Sequence, residues 1–280
     1  MFNVSKKIRS AKQNKGHTLG TRVSDLQALI ISTLDQVALF ADWPESAKET
    51  LYSAAELWRF DKGEEVVAAG EVAYGLVVLA EGSVANDRTW PNGKHMMTAG
   101  LRTGWPLKVP ALWDGLESQY GLTARETCLA ILIPRNVFLS VTTGDVVLLQ
   151  QVTDFICKQL RHEIIAVQMK TVFSLRCQLA LLFFYHAQTS FHTTLAEEIG
   201  DQIVPMDVTQ DEFASMLGCS RQKVNLLMKQ MERDGVIRRQ GRQIEIADTN
   251  LLLDAMEEDE PLPQEMRNLI AQQRKKLAAT

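Results

Sequence analysis

The residues with the most explicit chemistry are Ser220-Arg221-Gln222-Lys223, followed at helical spacing by Asn225 and Lys229. An arginine can donate to O6 and N7 of one guanine, and a glutamine amide can pair with N6 and N7 of an adenine. Arg221 and Gln222 therefore suit base edges in a major groove. Asn225 suits a base or a phosphate. Lys229 and Arg242 suit phosphates, contacts that position a protein without reading sequence. Leu226, one turn beyond Gln222, has only apolar surface to offer, enough to touch a thymine methyl. The predicted interface is Thr209, Ser220, Arg221, Gln222, Lys223, Asn225, Lys229 and Arg242.

Such side chains need a helix held end-on to the groove, and the flanking residues supply one. Thr209-Gln210-Asp211-Glu212 is a capping box. The helix it opens runs through Phe213, Ala214, Met216 and Leu217 and stops at Gly218, a residue suited to a left-handed turn. Ser220 caps a second helix that buries Val224, Leu227, Met228 and Met231. Ala214 is small where two crossing helices approach, and Val224 is compact where the second faces the first. This is a helix-turn-helix pattern. Gly235 closes the second helix. Val236–Arg239 and Gln243–Ile246 then flank Gly241 as a two-stranded wing with Arg242 at its tip.

The rest of the chain must carry and regulate that reader. Residues 1–22 hold six Lys and Arg (Lys6, Lys7, Arg9, Lys12, Lys15, Arg22) and no acid, and read as a basic flexible arm. Residues 23–58 look helical, with Pro44 near the first turn of a second helix. Between Leu57 and Pro134 short apolar runs alternate with turn glycines: Val66-Val67-Ala68, Leu76–Leu79 and Thr127–Ile133. Pro91-Asn92-Gly93-Lys94 marks a hairpin. Many short strands predict a jelly-roll. A long helix near 145–172 places Leu149, Val152, Ile156, Leu160, Ile164 and Val167 on one seam, expected to pair with a second copy. The resulting division is 1–22 arm, 23–140 β-roll with leading helices, 141–174 dimerisation helix, 175–256 winged helix-turn-helix and 257–280 helical extension, an α+β protein.

Composition narrows the function classes. The net charge is -4, with 46% hydrophobic and 23% charged residues, so DNA binding must come from a local surface. The apolar runs are too short to span a membrane. Cys128, Cys157, Cys177 and Cys219 form no Cys-x-x-Cys pair and read as reduced thiols of a cytoplasmic protein. Without a nucleophile–base pair, a metal spacing or a phosphate loop, the chain is expected not to be an enzyme. A cupin-like metal barrel would need more inward ligands than His95. A ligand-binding subunit acting on a protein partner would not need the recognition helix and wing.

The order of roll, long helix, helix-turn-helix and wing resembles the bacterial cyclic-AMP receptor protein and FNR (Crp/Fnr) family from about Val37 to Met256. The resemblance rests on Val208 through Val224, and on Phe60-Asp61-Lys62-Gly63-Glu64 with Leu79-Ala80-Glu81-Gly82-Ser83-Val84. It implies a homodimeric transcription regulator, a cyclic-nucleotide-binding-like roll, inverted DNA half-sites, and RNA polymerase as a further partner. Members that bind cyclic nucleotide carry a Gly-Glu pair and then an Arg with a small hydroxyl residue. Here Gly104-Trp105-Pro106-Leu107 and Ser118-Gln119 stand in those places, and Arg125 is the nearby arginine. A buried phosphate without a cation is unfavourable by several kcal/mol, roughly, so no cofactor is predicted and cyclic AMP is disfavoured. Leu79, Gly104, Trp105, Leu107, Trp113, Arg161 and His162 form the candidate effector pocket, with packing of the roll against the long helix as the other reading.

Overall fold

The computed structural model describes residues 23–101, 103–187, 208–240, 243–258 and 262–278. The basic arm, the wing tip at Gly241 and Arg242, and the Glu197–Asp201 segment lie outside them. The chain divides into two compact units, 1–88 with 99–156 and 89–98 with 157–280.

Along the chain, helices α1 (Val23–Leu34) and α2 (Glu45–Ala54) precede β1 (Glu56–Phe60), β2 (Glu65–Val67), β3 (Gly75–Glu81), β4 (Val84–Thr89), β5 (His95–Leu101) and β6 (Pro106–Leu107). Then come α3 (Val109–Asp114), β7 (Gly121–Ala124), β8 (Cys128–Pro134), α4 (Arg135–Thr143) and the long α5 (Val146–Val172). The strands make two sheets, ordered β1-β8-β3-β6 and β2-β7-β4-β5. The expected hairpin turn joins β4 to β5: Gly93 takes φ 78°, and the Trp90 amide donates to the Lys94 carbonyl at 2.8 Å.

The continuous apolar runs of β3 and β8 have a simple cause. Successive side chains of a strand point to opposite faces, and both faces here are covered. Val77, Leu79, Ala130 and Leu132 turn into the space between the sheets with Trp58, Phe60 and Val84. Leu76, Val78, Ile131 and Ile133 turn to the other side, against Leu34, Phe40, Trp43, Leu51 and Phe138 from the flanking helices.

That second cluster also takes one face of α5, and this corrects the expected seam. Val152 is fully buried in its own unit's core, beside Leu148, with Ile156 packed at the edge. The outward stripe runs instead through Leu149, Leu160, Ile164 and Val167, the last three 59%, 49% and 61% exposed. A 3.6-residue period defines an apolar stripe but does not separate the part packed on the home domain from the part left over.

In the second unit, α6 (Leu175–Ala187) packs against α9 (Thr249–Met256) and α7 (Gln210–Leu217), with the Phe183 and Phe213 rings edge-on at 5.3 Å. Arg176 ties α6 to Asp234 at 2.8 Å and Glu258 at 2.9 Å. The C-terminal helix α10 (Gln264–Leu277) buries Met266 and Ile270, and its Arg274 reaches Asp254 and Glu257, each at 2.7 Å. Within this unit the Met97 amide donates to Ser215 Oγ at 3.0 Å. Among the described residues no helix is long and apolar enough to cross a membrane.

Two turn glycines separate backbone strain from steric room. Gly63 and Gly82 both have φ near 83°, but a Cβ on Gly63 would meet nothing, whereas one on Gly82 would lie 2.7 Å from Cys128 Cβ. Gly63→Ala is expected to cost about 1 kcal/mol and Gly82→Ala about 2–4 kcal/mol, since strain and overpacking add. Urea unfolding of the two variants checks the order, and equal losses would refute the contact at Cys128.

Candidate nucleic-acid interface

The candidate reader is α8 (Arg221–Arg233), and both ends of the preceding turn are built as local hydrogen bonding dictates. Thr209 caps α7: its Oγ1 accepts from the Glu212 amide at 3.2 Å, and Glu212 Oε2 accepts from the Thr209 amide at 2.7 Å. Gly218 ends α7 in the left-handed region, φ 64°, and Ser220 Oγ accepts from the Lys223 amide at 3.3 Å. Ala214 and Val224 are buried as the crossing requires.

Val224, Leu227, Met228 and Met231 bury one face of α8. Each contributes about 1.5–3 kcal/mol in transfer terms. Arg221, Gln222, Lys223 and Lys229 are exposed on the outer surface, and Thr209 and Ser220 are exposed beside them. Arg221 lies 3.5 Å from Asp211, with both side chains about two-thirds exposed. Exposed pairs of this kind are worth little, about 0–1 kcal/mol, so the guanidinium can exchange that carboxylate for another acceptor.

Two residues outside the predicted set hold the wing strand to the helix. Strand β9 (Ile237–Gln240) pairs with β10 (Gln243–Ile246), and Arg239 of β9 donates through Nε to Glu232 Oε2 at 2.9 Å. Arg239 Nη1 also donates to Asn225 Oδ1 at 3.4 Å, which leaves the Asn225 amide nitrogen for an outside acceptor. The guanidinium hydrogen bond holds the Glu232 carboxyl below its ordinary range. The signal for this contact was present in Arg238-Arg239. Strand alternation places Arg239 on the face of buried Ile237, and Arg238 opposite.

The candidate effector residues are placed as follows. Leu79 and Leu107 are buried in the cluster between the sheets and Trp105 packs on it, its ring 5.6 Å from Phe155 of α5. Gly104 donates to the Leu79 carbonyl at 2.9 Å. Trp113 packs on the other cluster. Arg161 is exposed on α5 in the second unit, and the His162 side chain lies outside the described residues. Left-handed residues bracket the cassette at Gly104, φ 81°, and Lys108, φ 63°. Trp105 follows the first, and Val109, buried in the apolar core, follows the second.

Arg125 is not the sole arginine at the cassette, as sequence proximity suggested. Arg88 of β4 donates to the Gln119 carbonyl at 2.9 Å, and Arg135 of α4 to the Leu112 carbonyl at 2.7 Å. Sheet pairing and helix packing bring them from 31 and 23 residues away. Lys108 is a fourth cation there. Its Nζ donates to the Tyr120 carbonyl at 2.6 Å and to Asn86 Oδ1 at 3.0 Å, and burial lowers its pKa to about 8, partly opposed by Asp87. Between pH 8 and 10.5 the unfolded chain keeps a proton on this amine that the folded chain sheds, so this residue's contribution to stability rises with pH across that window. The stability difference between wild type and Lys108→Met, from urea midpoints, should therefore grow in favour of wild type from pH 8 to 10. A flat difference would contradict the burial of the amine.

Residues 179–255 match the Crp-like helix-turn-helix domain. No curated protein matches the chain in sequence. Among solved structures, FixK2 from Bradyrhizobium japonicum superimposes with a TM-score of 0.63 at 16% identity, over 75% of this chain and 99% of that one. TTHA1359, a CRP/FNR-family transcriptional regulator from Thermus thermophilus, gives 0.58 at 21% identity over 73% and 100%. CLP, a c-di-GMP-responsive global regulator from Xanthomonas campestris, gives 0.57 at 16% identity over 74% and 100%. Residues 179–255 thus match the Crp-like helix-turn-helix domain, and about three-quarters of the chain shares the fold of solved CRP/FNR-family transcriptional regulators.

Proposed function

We propose that the chain is a dimeric, sequence-specific DNA-binding transcription regulator. The observation that carries this reading is the polar outer face of α8, with Arg221, Gln222, Lys223 and Lys229 exposed on a helix capped and buried on its other side. In this reading Arg221 and Gln222 address base edges, while Lys223, Lys229 and Arg242 meet phosphates. Thr209 and Ser220 lie at the groove edge, and Asn225 offers its amide nitrogen. The half-sites are inverted and about one helical turn apart, and RNA polymerase is the expected protein partner. The effector is not cyclic AMP, or there is none: Leu79, Leu107 and Trp105 occupy the space between the sheets with their own side chains.

Dimerisation in this reading uses the outward stripe of α5. Leu160, Ile164 and Val167 are exposed at intervals of four and three, the spacing of a two-helix seam. An isologous contact would bury the stripe of both copies. Leu160→Lys with Ile164→Lys leaves the core untouched and should yield a folded monomer with weak operator binding. Sedimentation checks this, and an unchanged dimer overturns the seam.

DNA reading is tested by selection from random duplexes, followed by titration of the selected site at several salt concentrations. Arg221→Ala should cost about 1–3 kcal/mol and relax one base position. Lys229→Ala should weaken all sites alike and lower the salt slope by about one. An unchanged selected motif for Arg221→Ala would remove that residue from the base readers.

A further inference from the structure

Five apolar side chains stand on α8. Val224, Leu227, Met228 and Met231 are buried, while Leu226 is turned outward and 49% exposed. Its neighbours one turn away are Gln222 and Lys223 before it and Lys229 and Gln230 after it. An apolar protein surface is a poor match for this spot, because covering Leu226 would also desolvate the two flanking lysines. The ligand that fits is polyanionic and offers one small apolar group between its charges. In a DNA major groove that group is the C5-methyl of thymine, lying between two phosphate walls.

Gln222 and Leu226 are one turn apart, about 6 Å along the helix axis. That distance is under two base-pair steps of about 3.4 Å, so both side chains can reach the same short stretch of groove. Gln222 carries the donor and acceptor that pair with adenine N7 and N6, and Leu226 carries only methyl groups. Neither offers the twin donors that a guanine edge takes from arginine.

We propose that Leu226 is a specificity-determining residue that reads a thymine methyl, and that with Gln222 it selects half-sites holding A·T pairs at two positions within two base pairs of each other. This rests on the DNA reading above and deepens it by naming the base class.

The test uses the full chain and a duplex selected from random DNA. Each thymine of one half-site, and its symmetry mate, is replaced in turn by deoxyuridine, which deletes the C5-methyl and keeps every base-pair hydrogen bond. Affinity is read by fluorescence anisotropy at fixed salt. At one position per half-site the wild type should lose about fifteen-fold in affinity, the worth of two buried methyls, one in each half-site. Leu226→Ala should bind the thymine and uracil duplexes equally, and Leu226→Arg should shift selection at that position to guanine. Leu226 is exposed and outside the core, so these variants keep the fold. A wild type indifferent to every substitution overturns the proposal while leaving DNA reading intact. So does a methyl effect that persists in Leu226→Ala. A chain that selects no duplex at all overturns the DNA reading and this inference together.

Discussion

A thirteen-residue helix in water is marginal on its own, because its nucleation cost is barely repaid over so few turns. Most of the side chains proposed to address DNA depend on solving that problem for α8. The solution is asymmetric: four apolar side chains anchor one face, Ser220 satisfies an end amide, and the outer face is left free of structural duty. Gly218 makes the arrangement possible. Its left-handed backbone lets α7 stop and α8 start within three residues, so the face anchored against α7 is set by the turn rather than by a long loop.

Around that helix the second unit is also braced by charge. Arg239 joins the wing strand to Glu232, Arg176 joins α6 to Asp234 and Glu258, and Arg274 joins α10 to Asp254 and Glu257. Arginine suits this work because its planar fork serves two acceptors at once. The first unit is built differently, with β3 and β8 as a partition between two apolar clusters, and its polar cassette is organised around the Lys108 ammonium.

The helix-turn-helix was legible in the sequence because its signals are local. A capping box spans four residues, and the Ala214, Gly218 and Val224 pattern spans eleven. The runs of β3 and β8 were legible because both faces are buried. Strand β4, Val-Ala-Asn-Asp-Arg-Thr, was not, since only its first two residues are buried and its polar end faces the cassette. Helix α3 starts at a left-handed lysine that makes no side-chain cap, which leaves Pro110 in its first turn as the start signal. The face of α5 was half legible: periodicity finds the stripe, but which residues the home core absorbs depends on packing. Arg88 at Gln119 and Arg239 at Glu232 are tertiary pairings, the first across 31 residues and beyond any motif.

The contact between Trp105 and Phe155 has an optical consequence. All five tryptophans of the chain, at 43, 58, 90, 105 and 113, precede α5, and residues 114–280 contain none. Trp105 alone of the four in the first unit stacks on a ring of that helix, at a tilt of 44°. Intrinsic emission, with only Trp90 in the second unit, has no source on α8 itself. It carries instead a colour signal from the point where the roll holds the start of α5, so lifting Phe155 would wet a single indole and shift the spectrum to the red without any label.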